Sequence, residues 1–516
     1  MSPARHLVLL AGLLVACDEA RPSAGPGFDA RGPRDAGVVV RDAAPDGRMA
    51  AEPAPGARRI AGPAARAIWS EGLVAWRDAA SLRVLERPDD PSETPRALSE
   101  RAVMVSSRHG VLLFGEGSAG GGFQGSILAW RRGLASPKLV AERARGRYFD
   151  GFQEGFWVPQ AASPDGRFAA ALGNNVDTTD DAMLVALDDT APPRAVARGL
   201  LGSSYMGGNA LPDLAFSADG AFLLVGSGDL TLDGHRAVAA YPTAGDATGF
   251  HVGPIEVGEP ILVCPTGAQV ALLAPTGDLV VHDLAPSTTR VLGRARLVAG
   301  YSPDGAQLLY QAPEASWSFL ALHTAAADGR TPPSLVTNTS VLAADLPRWS
   351  RDGHDVLWAS DRGPRGSDLI LGGPGREVVL SALGSTLGRE ALSPDGLALV
   401  WYEAPSAESG NAPTGTLVAA RRDAPSEPRA LGPQVSYHAW LDGRRLLYAA
   451  YSDAVSTADL VLVDLATGSP PLTVQRNIAI DWYREQPFDV VAGHVVYRLA
   501  QGQPNDGLYV QRLPSI

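Results

Sequence analysis

The chain is predicted to fold as an all-β protein, a β-propeller of four-stranded blades. Three observations predict it: a recurring turn phrase, an apolar run after each copy, and a spacing of roughly 40–55 residues between copies. The clear copies are Ser163-Pro164-Asp165-Gly166, Ser217-Ala218-Asp219-Gly220, Ser302-Pro303-Asp304-Gly305, Ser350-Arg351-Asp352-Gly353 and Ser393-Pro394-Asp395-Gly396. Proline presets φ at the first turn position, aspartate tolerates the next, and glycine supplies the positive φ that other residues resist. The runs 168–172, 222–225, 308–310, 356–358 and 397–401 follow as strands, so each phrase reads as a tight hairpin.

Degenerate copies fill the intervals. Cys264-Pro265-Thr266-Gly267 precedes the run 270–273, and Leu441-Asp442-Gly443 precedes 446–449. Weaker still are Arg108-His109-Gly110, Ser70-Glu71-Gly72 and Ala492-Gly493. Further strand-like runs at 182–187, 237–241, 279–284 and 460–465, then at 289–292 and 377–380, give four strands per unit once the strand entering the turn is added. The best count is ten units, with turn glycines at 72, 110, 166, 220, 267, 305, 353, 396, 443 and 493. A ring of about four to eight blades is usual, so eight or nine blades, or two propellers in tandem, stay open. The last unit stops after its third strand, 508–512, and a strand from residues 58–67 is expected to complete it, because an unpaired blade edge invites aggregation.

One unit carries a specific resemblance. Trp349-Ser350-Arg351-Asp352-Gly353, then Val356-Leu357-Trp358-Ala359-Ser360-Asp361-Arg362-Gly363 and Ser367-Asp368-Leu369-Ile370-Leu371, resembles a WD40-like (PD40) repeat of the TolB type. That pattern runs W-S-P-D-G, a short hydrophobic strand, S-D-R-x-G, an acidic residue and a strand. The resemblance covers most of residues 68–513, strongly at five copies. It implies a propeller with an envelope or scaffold role. Some relatives fuse the propeller to a peptidase domain, and none is expected after residue 513. The Asp and Gly of each turn read as turn formers, not as ligands.

The N-terminus carries the second signal. Arg5 and His6 precede an apolar run, 7–16, too short to span a bilayer as a helix. It ends in Leu14-Val15-Ala16-Cys17, which resembles a bacterial lipobox and marks Cys17 for lipidation; an ordinary signal peptide with an incidental cysteine is the rival reading. Residues 18–57 lack apolar periodicity and are broken by Pro22, Pro26, Pro33, Pro45, Pro53 and Pro55. Such a segment cannot bury enough to offset its chain entropy and reads as a disordered tether, able to reach about 100 Å when extended. The expected organisation is a lipoprotein signal peptide at 1–16, a lipidated cysteine and tether at 17–57, and a propeller at 58–516.

Composition narrows the partners. The chain has 516 residues, 45% of them hydrophobic, and a formal net charge of −12, which disfavours nucleic acid and anionic membrane surfaces. Only two cysteines occur, Cys17 and Cys264, so no disulfide framework is expected, and Cys264 reads as a packing residue in the place of a turn serine. Lys138 is the only lysine among 44 basic residues, a bias that reads as genomic rather than functional. There is no G-x-S-x-G elbow, H-E-x-x-H pair, phosphate-binding loop or C-x-x-C pair, so neither catalytic residues nor cofactor nor metal is expected. Asp177, Asp180 and Asp181, beside Asn174 and Asn175, carry oxygen ligands of the kind Ca²⁺ uses, but their spacing matches no defined loop, and a solvated turn is the better reading.

Meander topology places the turn phrases and the third-to-fourth-strand turns on one face. The opposite face collects the second-to-third loops and the blade-to-blade connections, the longest being 115–125, 146–157, 173–181, 199–209 and 226–235. Long loops on a rigid scaffold commonly carry function, and 146–157 is unusually aromatic. The candidate partner-binding residues are Tyr148, Phe149, Phe152, Trp157, Asn174, Asn175, Asp177 and Tyr205; the alternative is that the rings pack between blades. The expected function is a non-enzymatic, lipid-anchored propeller in the bacterial cell envelope, in the periplasm or at the cell surface, binding a protein, peptide or glycan. The rival is a hydrolase or lyase with a composite site over the channel. Paired acidic or His residues converging on the channel would favour the enzyme; apolar and Arg linings would favour binding.

Overall fold

The computed structural model describes residues 52–514, apart from short stretches at 63–64, 71–72, 79–80, 119–122, 149–155, 158–159, 177–178, 202–212, 229–235, 246–247, 257–258, 314–319, 339–346, 362–366, 382–390, 407–413, 452–456, 481–486, 492 and 500–504. The signal peptide, Cys17 and nearly all of the tether lie outside it.

A strand that is apolar at every position must bury both of its faces. The turn-following strands do so by alternation. Ala169 and Ala171 pack towards one neighbouring sheet, while Ala170 and Leu172 pack towards the other. Leu73 and Ala75 part from Val74 and Trp76 in the same way. Ten antiparallel units result among the described residues: blades 1 to 7 at 65–99, 102–157, 160–201, 213–255, 262–294, 297–337 and 348–381, then blades 8 to 10 at 392–432, 435–479 and 488–512. The long strand Ala424–Trp440 serves twice, as outer strand of blade 8 and inner strand of blade 9. An apolar core fills the space between each pair of consecutive blades.

The ring closes at blade 10. Its outer strand is Arg58–Ala61, which pairs antiparallel with Gly507–Arg512 in the register Arg58↔Val510, Arg59↔Tyr509 and Ala61↔Leu508. Val496, Leu508 and Val510 of blade 10 then pack against Val74, Trp76 and Leu85 of blade 1. The count of ten blades in one ring and the closing strand from 58–67 both hold.

Each clear turn is one repeated hydrogen-bonded unit. In blade 6 the Ser302 hydroxyl donates to Asp304 Oδ1 at 2.6 Å and accepts from Gln307 N–H at 2.9 Å, while Ala306 N–H donates to Asp304 Oδ1 at 3.0 Å. The same set recurs at Ser163, Ser217, Ser350 and Ser393. The glycine closes the unit in the left-handed region, at φ 73° for Gly305 and 72° for Gly396. The degenerate glycines Gly267 and Gly443 stay out of that region. Successive turns also nest: a Cβ on Gly220 would meet Asp165 Oδ1 at 3.5 Å, and one on Gly353 would meet Pro303 Cδ at 3.7 Å.

Two of the expected loops are largely strand. Strands Val111–Ser118 and Phe123–Arg131 pair out to Ser118↔Gln124, and Phe168–Val176 and Thr179–Ala186 pair out to Val176↔Thr179. Glycine permits this rather than breaking it, since a Cβ on Gly117 would collide with the Gln124 carbonyl across the ladder.

Two stability predictions follow from this packing. Gly133→Ala, Gly396→Ala and Gly305→Ala each place a Cβ at positive φ, at a cost of about 1 kcal/mol. Only at Gly305 would the Cβ also collide with Thr266 Oγ1 and Cys264 Sγ of blade 5. Chemical denaturation is expected to rank Gly305→Ala well below the other two, and equal losses would contradict the nesting of turns. A chain shortened to begin at Ala65 lacks the closing strand; it is expected to melt earlier and to self-associate through the bared edge of Gly507–Arg512. Light scattering and melting curves unchanged from the full chain would show that closure does not stabilise the ring.

Candidate functional site

The inner strands of successive blades adjoin and line the centre of the ring. Gln160 Nε2 of blade 3 donates to Ser106 Oγ of blade 2 at 2.6 Å, and Trp349 Nε1 of blade 7 donates to the Gly300 carbonyl of blade 6 at 3.3 Å. Where the inner strands of blades 7, 8 and 9 run into their turns, a recess of about 290 Å³ opens towards the channel. Its walls are Arg348, Trp349, Arg351, Leu392, Pro394 and Trp440. Trp440 is nearly buried against the core between blades 8 and 9, Trp349 is half-buried, and Arg351 is exposed at the turn tip. Two larger clefts, of 530 and 480 Å³, lie at the outer rim of the same face.

The sequence fixes these side chains locally. Trp349 and Trp440 each end an inner strand just before its turn, Trp349 leaning on blade 6 and Trp440 packed into the core between blades 8 and 9. Arg351 stands where other copies carry proline or alanine, so its guanidinium projects from the turn. Behind it, Arg422 of blade 8 bonds Asp352 and donates through Nε to Asp355 Oδ2 at 2.8 Å, tying blade 8 to blade 7. Partial burial pushes the Asp352 carboxyl up, but bonds from Arg422 and Ser350 outweigh it and hold the group well below its ordinary value of 3.8. At Asp304 the Ser302 hydroxyl and the Ala306 N–H do the same.

Half of the loop-face candidates lie outside the described residues: Phe149, Phe152, Asp177 and Tyr205. Tyr148 ends strand Lys138–Tyr148 and pairs with Phe156, and Trp157 pairs with Arg147, so a fifth strand folds back onto blade 2. The base of that loop is thus a hairpin rather than a plain blade connection. Asn174 and Asn175 lie on strand Phe168–Val176, not in a loop. Asp181 is engaged structurally: its Oδ1 accepts from the Gly199 N–H at 3.1 Å, as Asp459 accepts from Asn477 N–H at 3.2 Å in blade 9. Among the described residues no group of three or more His, Cys, Asp or Glu side chains is arranged to hold a metal ion. Trp349 reads in the sequence as part of the repeat pattern alone, and Trp440 was missed, although an aromatic immediately before a turn phrase is a signal both residues carry.

No protein-family model and no curated protein matches the chain. Solved structures do. A eukaryotic initiation factor is 12% identical, with a TM-score of 0.48, over 79% of this chain and 97% of that one. The β-propeller domain of the Trilobed protease from Pyrococcus furiosus, described as having open velcro topology, is 14% identical over 58% and 92%, with a TM-score of 0.31. A structure described as TolB from Agrobacterium tumefaciens is 16% identical over 63% and 94%, with a TM-score of 0.26. The likeness concerns the fold alone.

The same comparison corrects one expectation. Most of these similar structures are enzymes, among them an oligogalacturonate lyase, a puromycin-hydrolysing peptidase and the tricorn protease. The expectation of a non-enzymatic protein is withdrawn, because the propeller fold gives no ground for excluding catalysis.

The lowered Asp352 and Asp304 carboxyls set a pH dependence. A carboxyl whose folded pKa is depressed stabilises the fold above its unfolded value, and that contribution is lost as pH falls through the folded one. The melting temperature is expected to decline as pH drops below about 4. Asp352→Asn should melt lower than wild type at pH 7 and show a shallower acid decline. Parallel acid limbs for the two proteins in scanning calorimetry would refute the assignment.

Proposed function

We propose that this chain is a lipid-anchored β-propeller of the bacterial cell envelope that presents a binding platform to a protein, peptide or glycan. The recess of Trp349, Trp440, Arg348 and Arg351 carries the reading. Indole faces offer flat apolar area at little conformational cost, and guanidinium groups add planar, bidentate hydrogen bonding. Together they suit a sugar ring or a peptide segment bearing carboxylate or hydroxyl groups. The lining is apolar and Arg-rich, the pattern expected of a binding channel.

Localisation rests on the N-terminal residues. The lipobox-like Leu14-Val15-Ala16-Cys17 follows a positive region and an apolar core, and the Pro-broken segment after it supplies reach. A WD40-like repeat of the TolB type on such an anchor makes an envelope scaffold held near, but not against, its membrane.

Two experiments test the two halves separately. Cys17→Ala is expected to lose lipid labelling and either appear in the soluble periplasmic fraction or accumulate unprocessed; unchanged labelling and membrane fractionation would remove the anchor from the reading. With the mature chain as bait in detergent-solubilised envelope, Arg351→Glu and Trp349→Ala should each reduce recovery of the captured partner at least about tenfold, the size of effect expected for an aromatic or arginine anchor. Arg351→Glu should keep the wild-type melting temperature. Full capture by folded variants would move the site off the recess.

A further inference from the structure

Blades 6 and 7 meet through an interface that gathers several unpartnered polar atoms. Its apolar part consists of Leu309, Leu322 and Val336 of blade 6 against Val356, Trp358 and Ile370 of blade 7. Side chains alternate along a strand, so Gln311 points the same way as Leu309, into this interface, and Ser360 points the same way as Trp358. Gln311, Trp358 and Ser360 are all fully buried, at 0% exposure. Yet Gln311 Oε1 and Nε2, Trp358 Nε1 and Ser360 Oγ have no hydrogen-bond partner in the protein.

The position of Gln311 is one the chain fills differently elsewhere. Counted from the turn serine, the equivalent residue is Leu172 in blade 3, Leu273 in blade 5 and Tyr402 in blade 8. Leu172 and Leu273 face the next blade as plain apolar packing. Tyr402 is polar, and its hydroxyl meets His438 Nδ1 of blade 9 at 2.6 Å. A polar group at this level is therefore given a protein partner in blade 8 and none in blade 6. A buried donor or acceptor left unmet destabilises the fold, and here four such atoms come from facing blades. Such groups are met in folded proteins by an internal guest.

We propose that the interface between blades 6 and 7 is a binding site for an uncharged group that both donates and accepts hydrogen bonds. The side chains set that chemistry. The indole N–H only donates, the amide donates and accepts, and the serine hydroxyl does both. None of the three carries charge, so the guest is neutral: an ordered water cluster, or a hydroxyl of a carbohydrate reaching in from the loop face, towards which strands Gln307–Pro313 and Val356–Asp361 run. Gln311 and Ser360 are the anchoring residues, and the Trp358 indole N–H is a further donor.

Crystals of the mature chain, grown without and then soaked with glucose, test the site and separate its two sources. Solvent density within hydrogen-bond distance of Gln311 and Ser360, replaced by a sugar hydroxyl in the soak, would identify a carbohydrate site. The same density unmoved by glucose would identify internal water. Dry packing, with Gln311 and Ser360 turned onto protein partners, would overturn the proposal. Gln311→Leu gives an independent sign. If a guest meets these groups, the variant loses an anchor and its melting temperature falls. If the interface is dry, removing an unmet amide leaves stability unchanged or raises it, and the proposal fails.

Discussion

Everything in this ring depends on apolar contact between neighbouring blades, because no blade has a core of its own. A four-stranded sheet with apolar residues on both faces is insoluble alone and becomes stable only between two others. Ala170, Leu172, Ala182 and Leu184 of blade 3 exist to meet Phe216, Leu223 and Val225 of blade 4, and the pattern repeats around the ring. An open chain of blades would leave two such faces bare. Closure by Arg58–Ala61 removes both at once, through its pairing with Gly507–Arg512 and the Val74, Trp76 and Val510 core. The segment before the closing strand is held as well: Gln475 of blade 9 accepts from Ala54 N–H at 2.6 Å and donates to the Glu52 carbonyl at 3.0 Å.

The arginine bias acquires a structural use at the outer rim. Near the start of an outer strand, a basic side chain reaches across to carbonyls in the third-to-fourth-strand turn of the next blade. Arg194 of blade 3 donates to Pro242 and Thr243 at 2.9 and 3.0 Å, Arg290 of blade 5 to Ala327 at 2.5 Å, and Arg429 of blade 8 to Ser469 at 3.2 Å. Arg58 and Arg96 do the same from blades 10 and 1. Lys138 reaches Ala186 from blade 2, so the only lysine fills the same role. Guanidinium suits it because several donors in one plane can satisfy two carbonyls that a tight turn leaves unpaired. Genome composition supplies the arginines; the strut position explains why many of them sit where they do.

The sequence was legible wherever one local rule served every blade. Ser, Asp and Gly in the turn have a single geometry to satisfy, and the continuous apolar run after them has one meaning in a structure buried on both faces. Legibility failed where a residue type has two readings. Gly117 and Gly173 read as loop glycines, but each lies on a strand and lets another chain segment come close. Cys264 in place of the turn serine kept the hairpin while Gly267 gave up the left-handed conformation, so spacing survived and chemistry did not. The recess was hidden for a different reason. Its walls come from three blades, and no stretch of sequence brings Trp349 near Trp440; only the ring does.

That dependence bears on how the recess recognises anything. Arg351, Leu392 and Trp440 are placed by three blades, so the spacing between them is set by the contacts between blades 7, 8 and 9. Two of those contacts are unusually firm. Arg422 joins the turn carboxyl Asp352 to the buried Asp355, with Arg376 on the other oxygen. The shared strand Ala424–Trp440 makes blades 8 and 9 continuous in hydrogen bonding and ends on Trp440 itself. A site whose walls are fixed before the ligand arrives loses little freedom on binding.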